Sequence, residues 1–193
     1  MQTTHTTYEV KTMAKTFQQQ LIEIVIAKNN QTASKLTVND VDFGDVQVYT
    51  PTAKSDTRNT KIVLTAKESS ANFAGNKEFH YIRLASDNLI GAKAYQQEGS
   101  LDLENSAIVT KLNEEMVAKG RDDDAFAESE LTIQKTNGEN GAKVYTVKVN
   151  DGHIKFLAGT IATFTYSAPA IEKVALNGLE GELDGFTAPA PKE

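Results

Sequence analysis

Two glycine-containing turns divide the second half of the sequence into short β-prone runs, and this punctuation constrains the fold more than any other feature. The turns lie at residues 137–141 (NGENG) and 150–152 (NDG). Asn-Gly and Asp-Gly pairs supply the positive φ angles that tight hairpins require. The surrounding runs therefore predict a meander of three strands, with sequences LTIQKT, KVYTVKV and HIKFLAGTIATFTY.

Alternating apolar residues predict further strands in the first half, at residues 46–48, 61–66 and 73–84. In the last of these runs, FAGNKEFHYIRL, Gly75 forms a turn that leads into the strand. Successive side chains of a strand point to opposite faces of its sheet. The run therefore places Phe79 and Tyr81 on one face, and His80, Ile82 and Leu84 on the other.

Helical periodicity predicts two helices, at residues 13–29 and about 106–119. The first presents Phe17, Leu21, Ile24 and Val25 on one face, although its β-branched run IEIVI is also compatible with a strand. The second presents Ile108, Leu112 and Met116, begins with a cap at Asn105 or Ser106, and has Gly120 after its end. Between them, Thr37 and Asp40 predict a single capped helical turn that Gly44 ends.

The two halves share one order of elements: a helix, a strand, a polar loop, a strand beginning with a lysine, a loop that carries Phe and Ala-Gly, and an aromatic strand. We interpret the chain as a sheet-rich α+β protein made of two tandem degenerate units, each with one helix on a small, mostly antiparallel sheet. Two unrelated α+β lobes are the alternative. The predicted segments are an N-terminal arm (1–12), a first unit (13–86), a connector (87–104), a second unit (105–168) and a C-terminal extension (169–193).

Composition excludes several classes of function. The net charge of −6 argues against general nucleic-acid binding, and the lack of cysteine excludes disulfides and thiolate metal sites. The polar start lacks the pattern of a secretory signal, and no apolar run approaches the ~20 residues of a membrane helix. We therefore expect synthesis in the cytoplasm. The lack of tryptophan weakens a carbohydrate-binding role.

The ionisable residues form no recognisable site. His5, His80 and His153 have no metal-ligand spacing. We interpret His80 as a packed, hydrogen-bonded sheet residue, because the second unit has no ionisable group at that place. Arg83 is interpreted as an edge or interface cation.

The run Asp122–Asp124 lacks the spacing of a helix-loop-helix calcium site, and a solvated negative patch is favoured over a cation site. The sequence contains no nucleophile elbow, phosphate-binding loop or dinucleotide fingerprint. We therefore predict no catalytic, cofactor-binding or metal-binding residues. An enzyme remains an alternative, in which His80, Arg83 and a carboxylate such as Glu78 or Glu104 would converge in a pocket.

The first half resembles a small domain of unassigned biochemical function found in virion structural proteins of large tailed bacteriophages. The similarity covers the residues LTVNDVDFG (36–44), NTKIVLTA (59–66), FAG (73–75) and YIRL (81–84), about a third of the chain. The proline typical after FG is missing, and the second half fits more loosely. The motif consists of turn and core residues, so it indicates a fold more than a role.

The resemblance implies a non-enzymatic, multicopy virion protein, either a capsid-associated decoration protein or a tail component. Its partners would be other copies of itself and the major capsid or tail proteins, with no sequence-specific nucleic acid and no membrane. A tail-tube subunit with an acidic lumen and a cell-surface adhesin or carbohydrate-binding module are the alternatives. The predicted interface residues are His80, Arg83, Ile171, Val174, Leu176, Leu179, Leu183 and Phe186.

Overall fold

A computed structural model describes residues 15–30 and 32–170, together with Leu176 and Leu179. These residues form an α+β fold with two helices and two four-stranded sheets. The predicted α+β class, with two helices and mostly antiparallel sheets, is confirmed. The helices are α1 (Phe17–Asn29) and α2 (Asn105–Ala118). The strands are β1 (Val41–Phe43), β2 (Gln47–Val48), β3 (Thr60–Ala66), β4 (Asn76–Tyr81), β5 (Gly91–Gln96), β6 (Leu131–Asn137), β7 (Lys143–Val149) and β8 (Gly159–Ser167). The N-terminal arm and most of the C-terminal extension lie outside the described residues.

The first sheet is built around β3. Strands β1 and β2 pair with one edge of β3, and β4 pairs antiparallel with its other edge. The helix α1 begins at a capping box formed by Thr16 and Gln19, and it packs on one face of this sheet. The resulting first core contains Leu21, Ile22, Val25, Leu36, Val41, Ile62 and Leu64.

The second sheet has the order β5-β8-β7-β6 and is covered by α2. The three predicted core residues of α2, Ile108, Leu112 and Met116, are fully buried, so the helical periodicity is confirmed. The predicted connector (87–104) contains β5, a strand that the sequence does not predict. This strand pairs with β8 in parallel, while all other strand pairs among the described residues are antiparallel.

The two predicted turns differ in the structure. The turn at residues 137–141 joins adjacent strands, and Asn140 and Gly141 supply its positive φ angles of 53° and 78°. After the second turn the chain does not enter a strand at His153, as the sequence predicts. Residues 153–158 instead pass between the two sheets, and we call them the crossing segment. The strand β8 begins only at Gly159.

This crossing segment joins the two cores. Leu84, which follows β4, donates its N–H to the carbonyl of Lys155 at 2.9 Å and accepts from the N–H of Leu157 at 2.8 Å. The Tyr81 hydroxyl donates to the carbonyl of Ile154 at 2.8 Å, and the Ile154 side chain packs against both cores. The first helix contributes as well, because Phe17 lies in the second core. The two sheets therefore form one body through residues 153–157.

Arg83 lies inside this junction, so its interpretation as an edge or interface cation is wrong. The residue is 8% exposed. Its Nε donates to the Thr60 hydroxyl at 2.9 Å, and its Nη1 donates to the carbonyls of His153 and Phe156 at 3.3 and 3.4 Å. A buried guanidinium needs such acceptors to replace its water. The side chain thus bonds the first sheet to the crossing segment.

His153 is buried beside Arg83. Its Nδ1 accepts from the N–H groups of Lys155 and Phe156 at 3.1 and 3.0 Å, which assigns the proton of the neutral ring to Nε2. That Nε2 is buried without a hydrogen-bond partner among the described residues, and the nearest carboxylate, Glu130, is 3.7 Å away. Burial, followed by the nearby charge of Arg83, lowers the pKa of His153 from 6.5 to about 4.

Replacing Arg83 by methionine should destabilise the folded protein by about 2–4 kcal/mol, because the substitution leaves three buried acceptors without their donor. Equilibrium urea unfolding measures this difference. Arg58→Met is the matched control, because Arg58 forms an exposed pair with Asp56 and its loss should cost less than about 1 kcal/mol. Equal losses in the two variants would contradict the structural role of Arg83.

Stability should decrease as the pH falls from 6.5 to about 4. In this interval His153 is protonated in the unfolded chain but not in the folded chain. The free energy of unfolding therefore falls by up to about 1.4 kcal/mol per pH unit. The variant His153→Asn retains an acceptor near the two N–H groups and should show a flatter dependence in urea titrations. Burial raises the pKa of Glu130, which acts in the opposite direction, so the difference between wild type and variant isolates His153.

Leu112→Ala is the control for this experiment. It should lower stability at every pH without changing the pH dependence, because it removes core contacts and no titrating group. An unchanged slope in His153→Asn would show that the buried histidine does not carry the pH dependence.

Candidate interaction surfaces

A groove of about 510 Å³ lies between α1 and the end of β4, and we call it the α1–β4 groove. Its wall combines apolar side chains of α1 with the residues that follow β4. Three of its large apolar residues are strongly exposed: Ile24 at 58%, Ile82 at 52% and Leu84 at 41%. Grouped exposed apolar side chains are typical of surfaces that another segment or molecule covers. The lining residues are Lys15, Phe17, Gln20, Leu21, Glu23, Ile24, Ala27, Tyr81, Ile82, Leu84, Asp123, Ile154 and Lys155.

The groove arises because α1 carries more apolar residues than one helical face can bury. The first core takes Leu21, Ile22 and Val25, which leaves Ile24 on the outside. The predicted face that included Ile24 and omitted Ile22 is therefore wrong at these two positions. At the rim, Lys15 pairs with Glu23 at 2.8 Å, an exposed contact that adds little stability.

The edge of β4 beside the groove is open along the described part of the chain. The N–H of Ala66 donates to the carbonyl of Gly75 at 2.8 Å, and the antiparallel register makes alternate residues 77, 79 and 81 point their backbone groups towards β3. Glu78 and His80 consequently point theirs away from β3. No described strand pairs with that edge of β4. Unpaired backbone donors beside an apolar groove favour the addition of a strand.

An acidic segment, Asp122–Asp124, closes one end of the groove. Asp122 and Asp123 are exposed, as expected for a solvated negative patch, and only Asp124 departs from that expectation. Asp124 is 4% exposed, accepts from Nε of Arg121 at 2.8 Å and pairs with Lys155. The carbonyl of Asp123 accepts from Nε2 of Gln20 on α1 at 2.6 Å. Asp124 thus holds the second unit against α1, and its counter-charges are side chains of the protein.

Among the described residues, neither His80 nor His153 belongs to a metal centre. Within residues 15–30 and 32–170 and at the two described leucines, no group of three or more His, Asp or Glu side chains is placed to hold a metal ion. The same residues contain no helix that is both long and apolar enough for a membrane span.

His80 lies on the outer face of the first sheet, opposite the helix-covered face that Phe79 and Tyr81 occupy, as predicted. Its ring stacks on Tyr49 at a centroid distance of 3.9 Å, and its Nε2 is 2.8 Å from a carboxylate oxygen of Glu78. Hydrogen bonds from His80 and Lys61 hold the pKa of Glu78 below its usual value. The interpretation of His80 as a packed, hydrogen-bonded residue is confirmed, and a role in an interface stays a prediction.

The predicted interface residues of the C-terminal extension are described at two positions. Leu176 is 82% exposed and Leu179 is 57% exposed. The other four, Ile171, Val174, Leu183 and Phe186, lie outside the described residues. Neither leucine lines the α1–β4 groove.

None of the three exposed apolar residues of the groove was predicted from the sequence as an interaction residue. One signal was available: the run LIEIVI has five apolar residues in six positions, too many for a single buried stripe. For Ile82 and Leu84 there was no such signal, because their exposure depends on where α1 and the crossing segment end.

Comparison with known proteins identifies a family but no function. The sequence profile of a group described as "Family of unknown function (DUF7941)" matches residues 10–156, about three quarters of the chain. This match spans both helices and strands β1 to β7, and it ends at Phe156 before β8. No curated protein and no solved structure matches the chain significantly. The chain therefore belongs to the family of unknown function DUF7941.

Proposed function

We propose that this chain is a non-enzymatic structural subunit of a tailed-bacteriophage virion, present in many copies and acting through subunit–subunit contacts. The virion context rests on the resemblance of residues 36–44, 59–66, 73–75 and 81–84 to a virion domain. The partners would be other copies of the chain and the major capsid or tail proteins, and the protein would be located in the virion. Neither sequence-specific nucleic acid nor a membrane is a proposed partner.

The observation that carries this proposal is the exposure of Leu176 and Leu179. Both residues were predicted as interface residues from the sequence, and both leave most of their side-chain surface in water in the single chain. Burying a leucine side chain stabilises an association by roughly 1.5–3 kcal/mol. A surface that repeats in every copy of a subunit can use such residues for many identical contacts.

The buried ionisable residues support a structural role. Arg83 bonds to Thr60 and two backbone carbonyls, and Asp124 pairs with Arg121 and Lys155. These side chains use their charges for contacts within the protein. The net charge of −6 suits either a decoration protein on a capsid or a tail-tube subunit with an acidic lumen.

The proposal includes a tandem repeat of one helix-plus-sheet unit. In both halves a helix is followed by a 3-10 turn and then by strands: β1, β2, β3 and β4 follow the turn at Val38–Asp40, and β6, β7 and β8 follow the turn at Glu128–Glu130. The second half has a further 3-10 turn, Glu139–Gly141, between β6 and β7, and the first half has the additional short strand β2. In each meander the middle strand pairs with both neighbours, since β3 lies between β1 and β4 as β7 lies between β6 and β8.

The register supports equivalent aromatic positions in the two units. Phe79 is opposite Ile62 as Phe164 is opposite Tyr145, and Tyr81 is opposite Thr60 as Tyr166 is opposite Lys143. Lys143 is consequently equivalent to Thr60, the residue before Lys61.

The double variant Leu176→Ser/Leu179→Ser should reduce incorporation into virions by at least about tenfold, because two buried apolar contacts would be lost in every copy. Incorporation is measured by quantitative mass spectrometry of purified particles from infections in which the variant is the sole source of the chain. The thermal stability of the isolated chain should not change, because both leucines lie outside the two cores.

Val48→Ser is the matched control. Val48 is 74% exposed on β2, far from the C-terminal extension in sequence, and its substitution should leave incorporation unchanged. A chain that is absent from wild-type particles would contradict the virion proposal. Binding of glycans by the isolated protein would then favour the adhesin or carbohydrate-binding alternative.

A further inference from the structure

The two sheets differ at one edge. In the second sheet, the open side of β8 is covered by β5, which runs parallel to it with Tyr95 opposite Tyr166 and Gly91 opposite Ala162. In the first sheet, β4 occupies the place of β8, and no described strand covers its corresponding side. The described residues of the first unit therefore contain no counterpart of β5.

The spacing of the helices identifies where this counterpart lies in the sequence. The buried residues Leu21, Ile22 and Val25 of α1 have the same spacing as Ile108, Val109 and Leu112 of α2. With Leu21 aligned to Ile108, the residue of the first unit that corresponds to Tyr95 is also a tyrosine, Tyr8. The segment that corresponds to Gly91–Tyr95 is residues 4–8, within the predicted N-terminal arm.

The surroundings of Tyr95 specify what this tyrosine would contact. The Tyr95 hydroxyl donates to Glu115 at 2.8 Å, Nζ of Lys111 lies 4.7 Å from the ring centroid, and the ring packs against Phe164 and Tyr166 at 5.9 and 5.2 Å. In the first unit, Lys28 corresponds to Glu115 and Ile24 corresponds to Lys111. Phe79 and Tyr81 correspond to Phe164 and Tyr166.

Ile24 occupies the place of Lys111, which explains why an isoleucine is 58% exposed on α1. A tyrosine ring in the α1–β4 groove would cover Ile24 and the edge of Tyr81, which both line that groove. Backbone pairing along β4 would satisfy the outward N–H and C=O groups of Glu78 and His80.

We propose that residues 4–8 of the same chain bind along the open edge of β4 as a parallel strand, with Thr4 opposite Lys77 and Tyr8 opposite Tyr81. The same number of residues separates Tyr8 from Leu21 as separates Tyr95 from Ile108, so the chain can return to α1 by the path length that the second unit uses. The pairing ends before Leu84, where the crossing segment already forms a parallel bridge with Phe156. The inference rests on the proposed tandem repeat and not on the virion role.

A disulfide test in the isolated full-length chain is specific, because the protein has no cysteine of its own. Ala92 is opposite Thr163 in the second sheet, and the equivalent pair is His5 and Glu78. Directly opposite residues in neighbouring strands lie at a separation that a disulfide can bridge. The double variant His5→Cys/Glu78→Cys should form an intramolecular disulfide in most molecules under mild oxidation, measured as monomer by non-reducing electrophoresis and mass spectrometry.

The matched control is His5→Cys/Lys135→Cys, in which the second cysteine lies on the exposed edge strand β6. This pair should cross-link several-fold more slowly. Equal rates in the two double variants would overturn the proposal. Preferential cross-linking between a mixture of His5→Cys and Glu78→Cys single variants would also overturn it, because the strand would then come from another copy.

Amide hydrogen exchange provides a second measurement that requires no new cysteine. The outward N–H groups of Glu78 and His80 should exchange at least about tenfold more slowly in the full chain than in a chain lacking residues 1–9. The amide of Phe79 points towards β3 and serves as the internal control. Equal exchange of Glu78 and His80 in the two chains would contradict the pairing. Neither measurement requires virions, so either can fail while the proposed function stands.

Discussion

The structure depends on the buried guanidinium of Arg83 at the junction of the two sheets. This group bonds the Thr60 hydroxyl of the first sheet to the carbonyls of His153 and Phe156 in the crossing segment. The side-chain amide of Asn59 also holds the backbone of Arg83, because its Oδ1 accepts from the Arg83 N–H and its Nδ2 donates to the Arg83 carbonyl. A buried cation with fixed acceptors tolerates little displacement, and the two small cores are thereby kept in one arrangement.

The surfaces available for interaction follow from this arrangement. Because residues 153–157 are held against Leu84, the end of β4 and the start of α1 stand apart and form the α1–β4 groove. The pairing of Asp124 with Lys155 and the contact of Asp123 with Gln20 support the same geometry from the second unit. Each sheet alone has a small core, and sharing the junction lets Phe17 of the first helix stabilise the second core.

Much of the fold was predictable because local chemistry and tertiary structure agree in these elements. The turn residues and alternation placed β3, β6 and β7 within one residue of their bounds, and Gly75 adopts the positive φ of 77° that its turn requires. The burial of Ile108, Leu112 and Met116 followed from spacing alone. By contrast, β1 was merged into the turn capped by Thr37 and Asp40, because three residues are too few for a period-two pattern to be recognised. The strand β5 has small and polar residues whose pairing depends on a partner far along the chain.

The sequence by itself determined the α+β class, most secondary-structure elements and the alternation of faces around His80, because turns, caps and periodicity act over a few residues. It also indicated that the first helix has more apolar residues than one face requires. Only the tertiary structure decided that Arg83, His153 and Asp124 are buried contacts and that Ile24, Ile82 and Leu84 are exposed. Burial of these residues is set by the approach of two sheets distant in sequence, and a charged side chain has the same local pattern whether it ends in water or against a backbone carbonyl.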